Sequence, residues 1–125
     1  MGIRCLIVDD SVAFLAAAER ALSSQGISVV GVAQDGAQAI AEMDALRPDV
    51  VLVDVYLGAE SGFTLAERIE ANVQAGRWAV RVILISSHDR DEMIDLLQDS
   101  PAVAFVDKAE LSAQTIRGAL ETGRA

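Results

Sequence analysis

The sequence has a single cysteine, Cys5, so no internal disulfide can form. Aromatic residues are only 4% of the chain, and a core must therefore be filled by Val, Ile, Leu and Ala. No apolar run approaches the roughly 18 to 20 residues that a membrane-spanning helix needs. The opening residues Met1-Gly2-Ile3-Arg4 lead straight into a strand pattern, without the charged and apolar regions of a signal peptide. Positive charge is also scarce: 10 Lys and Arg stand against 19 Asp and Glu, a formal net charge of −9. A domain this acidic repels phosphate backbones, which argues against direct nucleic-acid binding. These absences fit a soluble domain in a reducing, cytoplasmic setting that uses no membrane.

What is present is an ordered alternation. The 125 residues suit one domain over 1–125, and 52% hydrophobic content excludes intrinsic disorder. Short apolar runs rich in β-branched residues recur five times. They are Cys5-Leu6-Ile7-Val8, Ile27 to Ala33 (interrupted by Ser28 and Gly31), Val50 to Val53, Val82 to Ile85, and Val103 to Val106. Runs apolar at successive positions suit strands covered on both faces.

Helical patterns lie between and after them. Ser11 can cap a helix reaching about Gln25, with Phe14, Ala18 and Leu22 inward and Gly26 as its stop. Asp35-Gly36 opens a second helix, with Ala39, Ile40, Met43 and Leu46 inward and Pro48 beyond it. A third spans about Phe63 to Gln74, a fourth about Asp91 to Asp99, and a fifth starts near Ser112. Trp78, in the stretch before the fourth strand, is expected to pack on the sheet. The pattern is (βα)5, a parallel sheet with right-handed crossovers and helices on both faces.

In such sheets ligands bind beyond the carboxyl ends of the strands. The first strand runs into Asp9 and Asp10, the third into Asp54, the fourth into Ser86, and the fifth into Asp107 and Lys108. Asp107 reads as a surface charge. Three carboxylates brought to one edge repel unless a cation joins them, and a hard divalent ion with oxygen ligands is the natural partner. A carboxylate, a metal, a hydroxyl and a lysine together suit a phosphoryl group. An aspartate can itself be the nucleophile.

Four stretches carry a resemblance. They are Leu6-Ile7-Val8-Asp9-Asp10, Val51 to Leu57 with Gly62 following, Ile85-Ser86-Ser87, and Phe105-Val106-Asp107-Lys108. In order and spacing they resemble the receiver domains of two-component response regulators, over nearly the whole chain. The resemblance implies a flavodoxin-like, doubly wound α/β fold with strand order 2-1-3-4-5. It implies Asp54 as phosphoacceptor, with Mg²⁺ held by Asp9, Asp10, Asp54 and the Tyr56 backbone carbonyl. Ser86 would be the switch hydroxyl, Phe105 the switch aromatic, and Lys108 the phosphoryl contact. Tyr56, Ser87 and His88 would tune the rate of phosphoryl loss.

The donor would be a sensor histidine kinase or a phosphotransfer protein, with the receiver catalysing its own phosphorylation. The output would be a downstream protein or domain, reached through the face of the fourth helix, fifth strand and fifth helix. A phosphorylation-dependent homodimer through the same elements is compatible with this. The chain would be a stand-alone receiver or part of a longer regulator.

Some positions depart from the family pattern. Gly58 and Ala109 stand where prolines are common, which points to a looser loop after Asp54 and puts a cis peptide after Lys108 in doubt. Other functions fit these residues less well. A pseudo-receiver would keep the fold without being phosphorylated, yet Asp9, Asp10, Asp54, Ser86 and Lys108 are all present. A haloacid dehalogenase-like phosphatase needs an acid where Tyr56 stands. A flavin-binding protein would not put acid in the turn that must hold a phosphate. His88, the single histidine, reads as a loop residue beside the acceptor and not as a phosphohistidine. Replacing Tyr56 and His88 together by small polar residues is expected to change the dephosphorylation rate. An unchanged rate, followed by intact mass over time, would remove both from the tuning set.

Overall fold

The computed structural model describes residues 2–74, 79–87 and 97–122. Trp78, His88 and most of the expected fourth helix fall outside them. The described elements are β1 (Arg4–Val8), α1 (Val12–Ser24), β2 (Ser28–Ala33), α2 (Gly36–Leu46), β3 (Val50–Asp54), β4 (Tyr56–Leu57), β5 (Glu60–Ser61), α3 (Gly62–Gln74), β6 (Arg81–Ser86), β7 (Ala104–Asp107) and α4 (Ala113–Thr122). Five strands form one parallel sheet in the order β2-β1-β3-β6-β7. Counting only those five strands, this is the expected 2-1-3-4-5. Among the described residues, no helix is long and apolar enough to cross a membrane.

Alternation along the strands builds two cores. Cys5, Ile7, Val50, Leu52, Ile83 and Ile85 point to the face covered by α1 and α4, where Leu15, Leu22 and Ile116 meet them. Leu6, Val8, Val51, Val53, Val82 and Leu84 point to the face of α2 and α3, against Met43, Leu65 and Ile69. Every residue of β3 is buried, which explains why the central strand reads as unbroken apolar sequence. Burial also pushes the Cys5 thiol up to about 12, so it behaves as a small hydrophobe.

Local chemistry sets the helix ends. The Ser11 hydroxyl accepts from the Phe14 N–H at 3.2 Å, and Asp35 accepts from the Gln38 N–H at 2.9 Å. Gly26, just past α1, has a φ of 93°, the left-handed geometry that glycine adopts freely. At the end of α2 the Arg4 guanidinium donates to the carbonyls of Leu46 and Arg47, at 2.7 and 2.6 Å. These contacts satisfy carbonyls that the helix itself leaves open.

The structure differs from expectation in two places. Leu15, which the pattern did not single out, is buried with Ala18 and Leu22 in the core. A spacing of four drifts around a helix of 3.6 residues per turn, and the face that meets the sheet includes Leu15. Phe14 packs against the same core from the rim, half-buried. The segment after Asp54, expected as a loop, forms paired strands. Tyr56 pairs with Ser61 and Leu57 with Glu60 in an antiparallel hairpin, and Gly58, with a φ of 65°, supplies its turn.

Gly62 closes that hairpin against β3. Its N–H donates to the Val55 carbonyl at 2.7 Å, and a Cβ there would collide with the Asp54 backbone carbonyl. Backbone cannot move aside as a side-chain tip can. Gly62→Ala is therefore expected to destabilise the fold by about 2 kcal/mol or more, in the range of strained core changes. Urea unfolding checks this; a loss below about 0.5 kcal/mol, the range of ordinary surface changes, would mean that the approach is not tight.

Candidate functional site

The parallel register brings the carboxyl ends of β1, β3, β6 and β7 to one edge. Asp9 and Asp10 follow β1, Asp54 ends β3 and Ser86 ends β6, while Lys108 opens a short 3-10 turn after β7. One oxygen each from Asp9, Asp10 and Asp54 lies within 4.8 Å of the others. Asp9 is fully buried, Asp54 is 6% exposed, and Asp10 faces solvent.

Each buried carboxylate has one oxygen committed and one aimed inward. Asp9 Oδ1 accepts from the Ser11 N–H at 2.8 Å, and Asp54 Oδ1 accepts from the Tyr56 N–H at 3.2 Å. Their Oδ2 atoms converge on the Lys108 ammonium, at 2.5 Å from Asp9 and 3.3 Å from Asp54. The Asp9 contact is an ion pair without hydrogen-bond alignment, so buried Asp9 Oδ2 has no hydrogen-bond partner. Lys108 Nζ also sits 4.3 Å over the centre of the Phe14 ring, a cation–π contact. This is the role Phe14 takes up at the rim.

Electrostatics at the site are unbalanced. Burial raises the Asp54 pKa, and the Asp9 charge adds to it. The Tyr56 N–H and Lys108 pull the other way without cancelling the rise. For Lys108, burial opposes the charge, but Asp9 and Asp54 together hold its pKa above the usual value. Three clustered carboxylates, one with a buried oxygen lacking a hydrogen bond, form a donor set that fits a hard divalent cation.

The other expected residues occupy the same edge or its support. Ser86 is buried and pairs in register with Asp107, and Ser87 beyond it is exposed. Phe105 is buried in the core on the α2 and α3 side. Tyr56 is 50% exposed. The peptide after Lys108 is trans, since the described residues contain no cis bond. Asp107 is not merely a surface charge: it accepts from the Ala109 N–H at 2.9 Å and caps the turn that carries Lys108. Capping needs an acceptor just before a turn, and Asp is suited to it.

Comparison with known proteins agrees with this geometry. The family model described as "Response regulator receiver domain" matches residues 5–121. The chain belongs to that family. This receiver is 31% identical over 123 residues to a probable transcriptional regulatory protein, NarL, of Mycobacterium tuberculosis, covering 98% of this chain and 55% of that protein. It is 34% identical over 110 residues to a protein-glutamate methylesterase/protein-glutamine glutaminase of Haloarcula marismortui, covering 86% of this chain and 28% of that one. The receiver thus spans about half, or less, of the length of these relatives.

Among solved structures, the receiver domain of NarL from M. tuberculosis superposes with a TM-score of 0.80 at 29% identity, covering 99% of this chain and 98% of that one. The receiver domain of CheB from Thermotoga maritima gives 0.71 at 28% identity, covering 97% and 90%.

One residue at the edge of the receiver site had no signal in the sequence. Glu60, on β5, accepts from the Gly36 N–H and from Arg68. Its partners are scattered along the chain, and no spacing rule joins them.

The Asp54 pKa has a consequence for stability. Because it is raised above its unfolded value, the neutral form favours folding, and that contribution is lost as pH rises through the raised pKa. Asp54→Asn is therefore expected to raise the thermal midpoint in metal-free buffer at neutral pH, and to flatten its fall as pH rises above the ordinary carboxylate range. A variant melting below the wild type under those conditions would mean that the Lys108 pairing outweighs burial.

Proposed function

We propose that this receiver takes a phosphoryl group on Asp54 from a phosphohistidine donor, with Mg²⁺ at the carboxylate cluster. The observation that carries the reading is the convergence of Asp9, Asp10 and Asp54 within 4.8 Å, with Lys108 beside the inward oxygens. A nucleophilic carboxylate, a cation site and a fixed ammonium are the parts that phosphoryl transfer requires. The turn after β1 is acidic where a flavin phosphate would need donors, and Tyr56 stands where a haloacid dehalogenase-like phosphatase needs its second acid.

In the step itself, an Asp54 carboxylate oxygen bonds to phosphorus while the bond from phosphorus to the donor nitrogen breaks. The Tyr56 N–H fixes the carboxylate through Oδ1 during approach. Lys108 neutralises a phosphoryl oxygen as charge moves onto it. Asp9, Asp10, Asp54 and the Tyr56 carbonyl would hold Mg²⁺, which supplies charge neutralisation for the transferring oxygens. Ser86 would turn its hydroxyl toward the product, and Phe105 would repack as it does so. Tyr56, Ser87 and His88 would set how readily water reaches the acyl phosphate.

The donor would be a sensor histidine kinase or a phosphotransfer protein in the cytoplasm. The changed surface would be the face built on β7 and α4, read by another protein, a further domain or a second copy of the chain.

The test is incubation with Mg²⁺ and acetyl phosphate, followed by intact mass beside Asp54→Asn. Gain of one phosphoryl group by the wild type only is expected. No gain, under conditions that label another receiver, would favour a protein-interaction module that is not phosphorylated. Gain by the variant as well would move the acceptor elsewhere.

A further inference from the structure

The backbone after Asp54 serves the site twice: the Tyr56 N–H holds Asp54 Oδ1, and the Tyr56 carbonyl is a proposed metal ligand. Tyr56 belongs to a hairpin with only two paired residues on each side. Pairing this short is marginal on its own, so something else must hold it.

Glu60 does so from the opposite strand of the hairpin. Its Oε1 accepts from the Gly36 N–H at 2.9 Å, at the first residue of α2. Its Oε2 accepts from Arg68 Nη1 at 2.7 Å, on α3. One partly buried carboxylate thus joins the start of α2, the hairpin and α3. The fit is built into the backbone, because a Cβ on Gly36 would overlap the Glu60 carboxylate. Glycine at that position leaves the room that the acid fills. The positive end of α2 favours a negative charge there. The Arg68 side chain is 48% exposed, and ion pairs of that kind add little to stability. The arrangement therefore serves geometry more than folding energy.

We infer that Glu60 is a positioning residue for the metal-binding loop: clamped between the Gly36 N–H and Arg68, it holds the Tyr56 backbone in register with Asp54. The inference rests on the Mg²⁺-dependent phosphoacceptor reading above. It differs from a purely structural role in one measurable way. A structural contact changes the melting point of the metal-free protein, whereas a positioning contact changes the affinity for the metal.

The experiment is a Mg²⁺ titration of the full chain at constant temperature, read by isothermal calorimetry. Glu60→Ala is expected to raise the Mg²⁺ concentration for half-saturation about tenfold, the size of effect that outer-shell partners of metal ligands have. Gly36→Ala should do the same without touching the hairpin, because its methyl displaces the carboxylate. Glu60→Gln, which keeps an acceptor for the Gly36 N–H, should recover most of the affinity. Should Glu60→Ala fail to fold, the other two variants carry the comparison. Half-saturation within about twofold of wild type in Glu60→Ala and Gly36→Ala, well short of the outer-shell range, would overturn the inference alone. A wild type that takes up no Mg²⁺ in the same titration would overturn the phosphoacceptor reading, and the inference with it.

Discussion

The ammonium group of Lys108 sits between two buried carboxylates, 2.5 Å from Asp9 and 3.3 Å from Asp54, and the whole carboxyl edge is arranged around that bridge. Buried like charges are tolerated only when an opposite charge is fixed close by. Several features fix this one. Asp107 caps the turn that starts with Lys108, and the Phe14 ring lies under its Nζ. The strand leading to it, β7, is in register with β6, which in turn is in register with β3 and Asp54. Removing the bridge would leave Asp9, with no exposure to water, beside a second carboxylate that is itself nearly enclosed.

A bridge of this kind needs a rigid base. The three central strands supply it: all of β3, Cys5 to Val8 of β1 and Val82 to Ser86 of β6 are buried, with side chains alternating into two separate cores. Protein interiors packed at this density resist displacement. The polar groups come only at the strand ends, one residue past the apolar run. The sheet therefore contributes position and the edge contributes chemistry. The hairpin after Asp54 is the exception, since it projects from the sheet and depends on Gly62 against the Asp54 carbonyl and on the Glu60 contacts.

That division explains what the sequence made legible. Runs such as Val50-Val51-Leu52-Val53 can be read because a strand covered on both faces has no polar positions to confuse it. Asp9, Asp54, Ser86 and Lys108 could be assembled because parallel strands end at one edge, whatever their distance in sequence. That Leu15 is buried more deeply than Phe14 was not legible, since helical phase depends on which face the sheet presents. Nor was the β4–β5 hairpin, because two-residue strands have no period. Glu60 lies 24 residues from its partner Gly36, and only folding brings them together. Asp107 looked like a surface acid because capping is a matter of backbone geometry and not of composition.

The charge balance at the edge connects stability to chemistry. Two carboxylates share one ammonium and a third, Asp10, lies beside them, so with all three ionised two negative charges are left over in a site partly closed to water. Burial has already raised the Asp54 pKa, which means that the ionised form costs the fold stability. A sequence selected for stability alone would remove one acid. Keeping all three holds the site in a condition that a divalent cation relieves, since binding only to the folded form stabilises it. Lys108 donates to the inward oxygen of Asp54, while that of Asp9, though ion-paired, has no hydrogen-bond partner. The raised Asp54 pKa and the proposed chemistry have one origin: carboxylates held closer together than their own charges favour, on a sheet too well packed to let them separate.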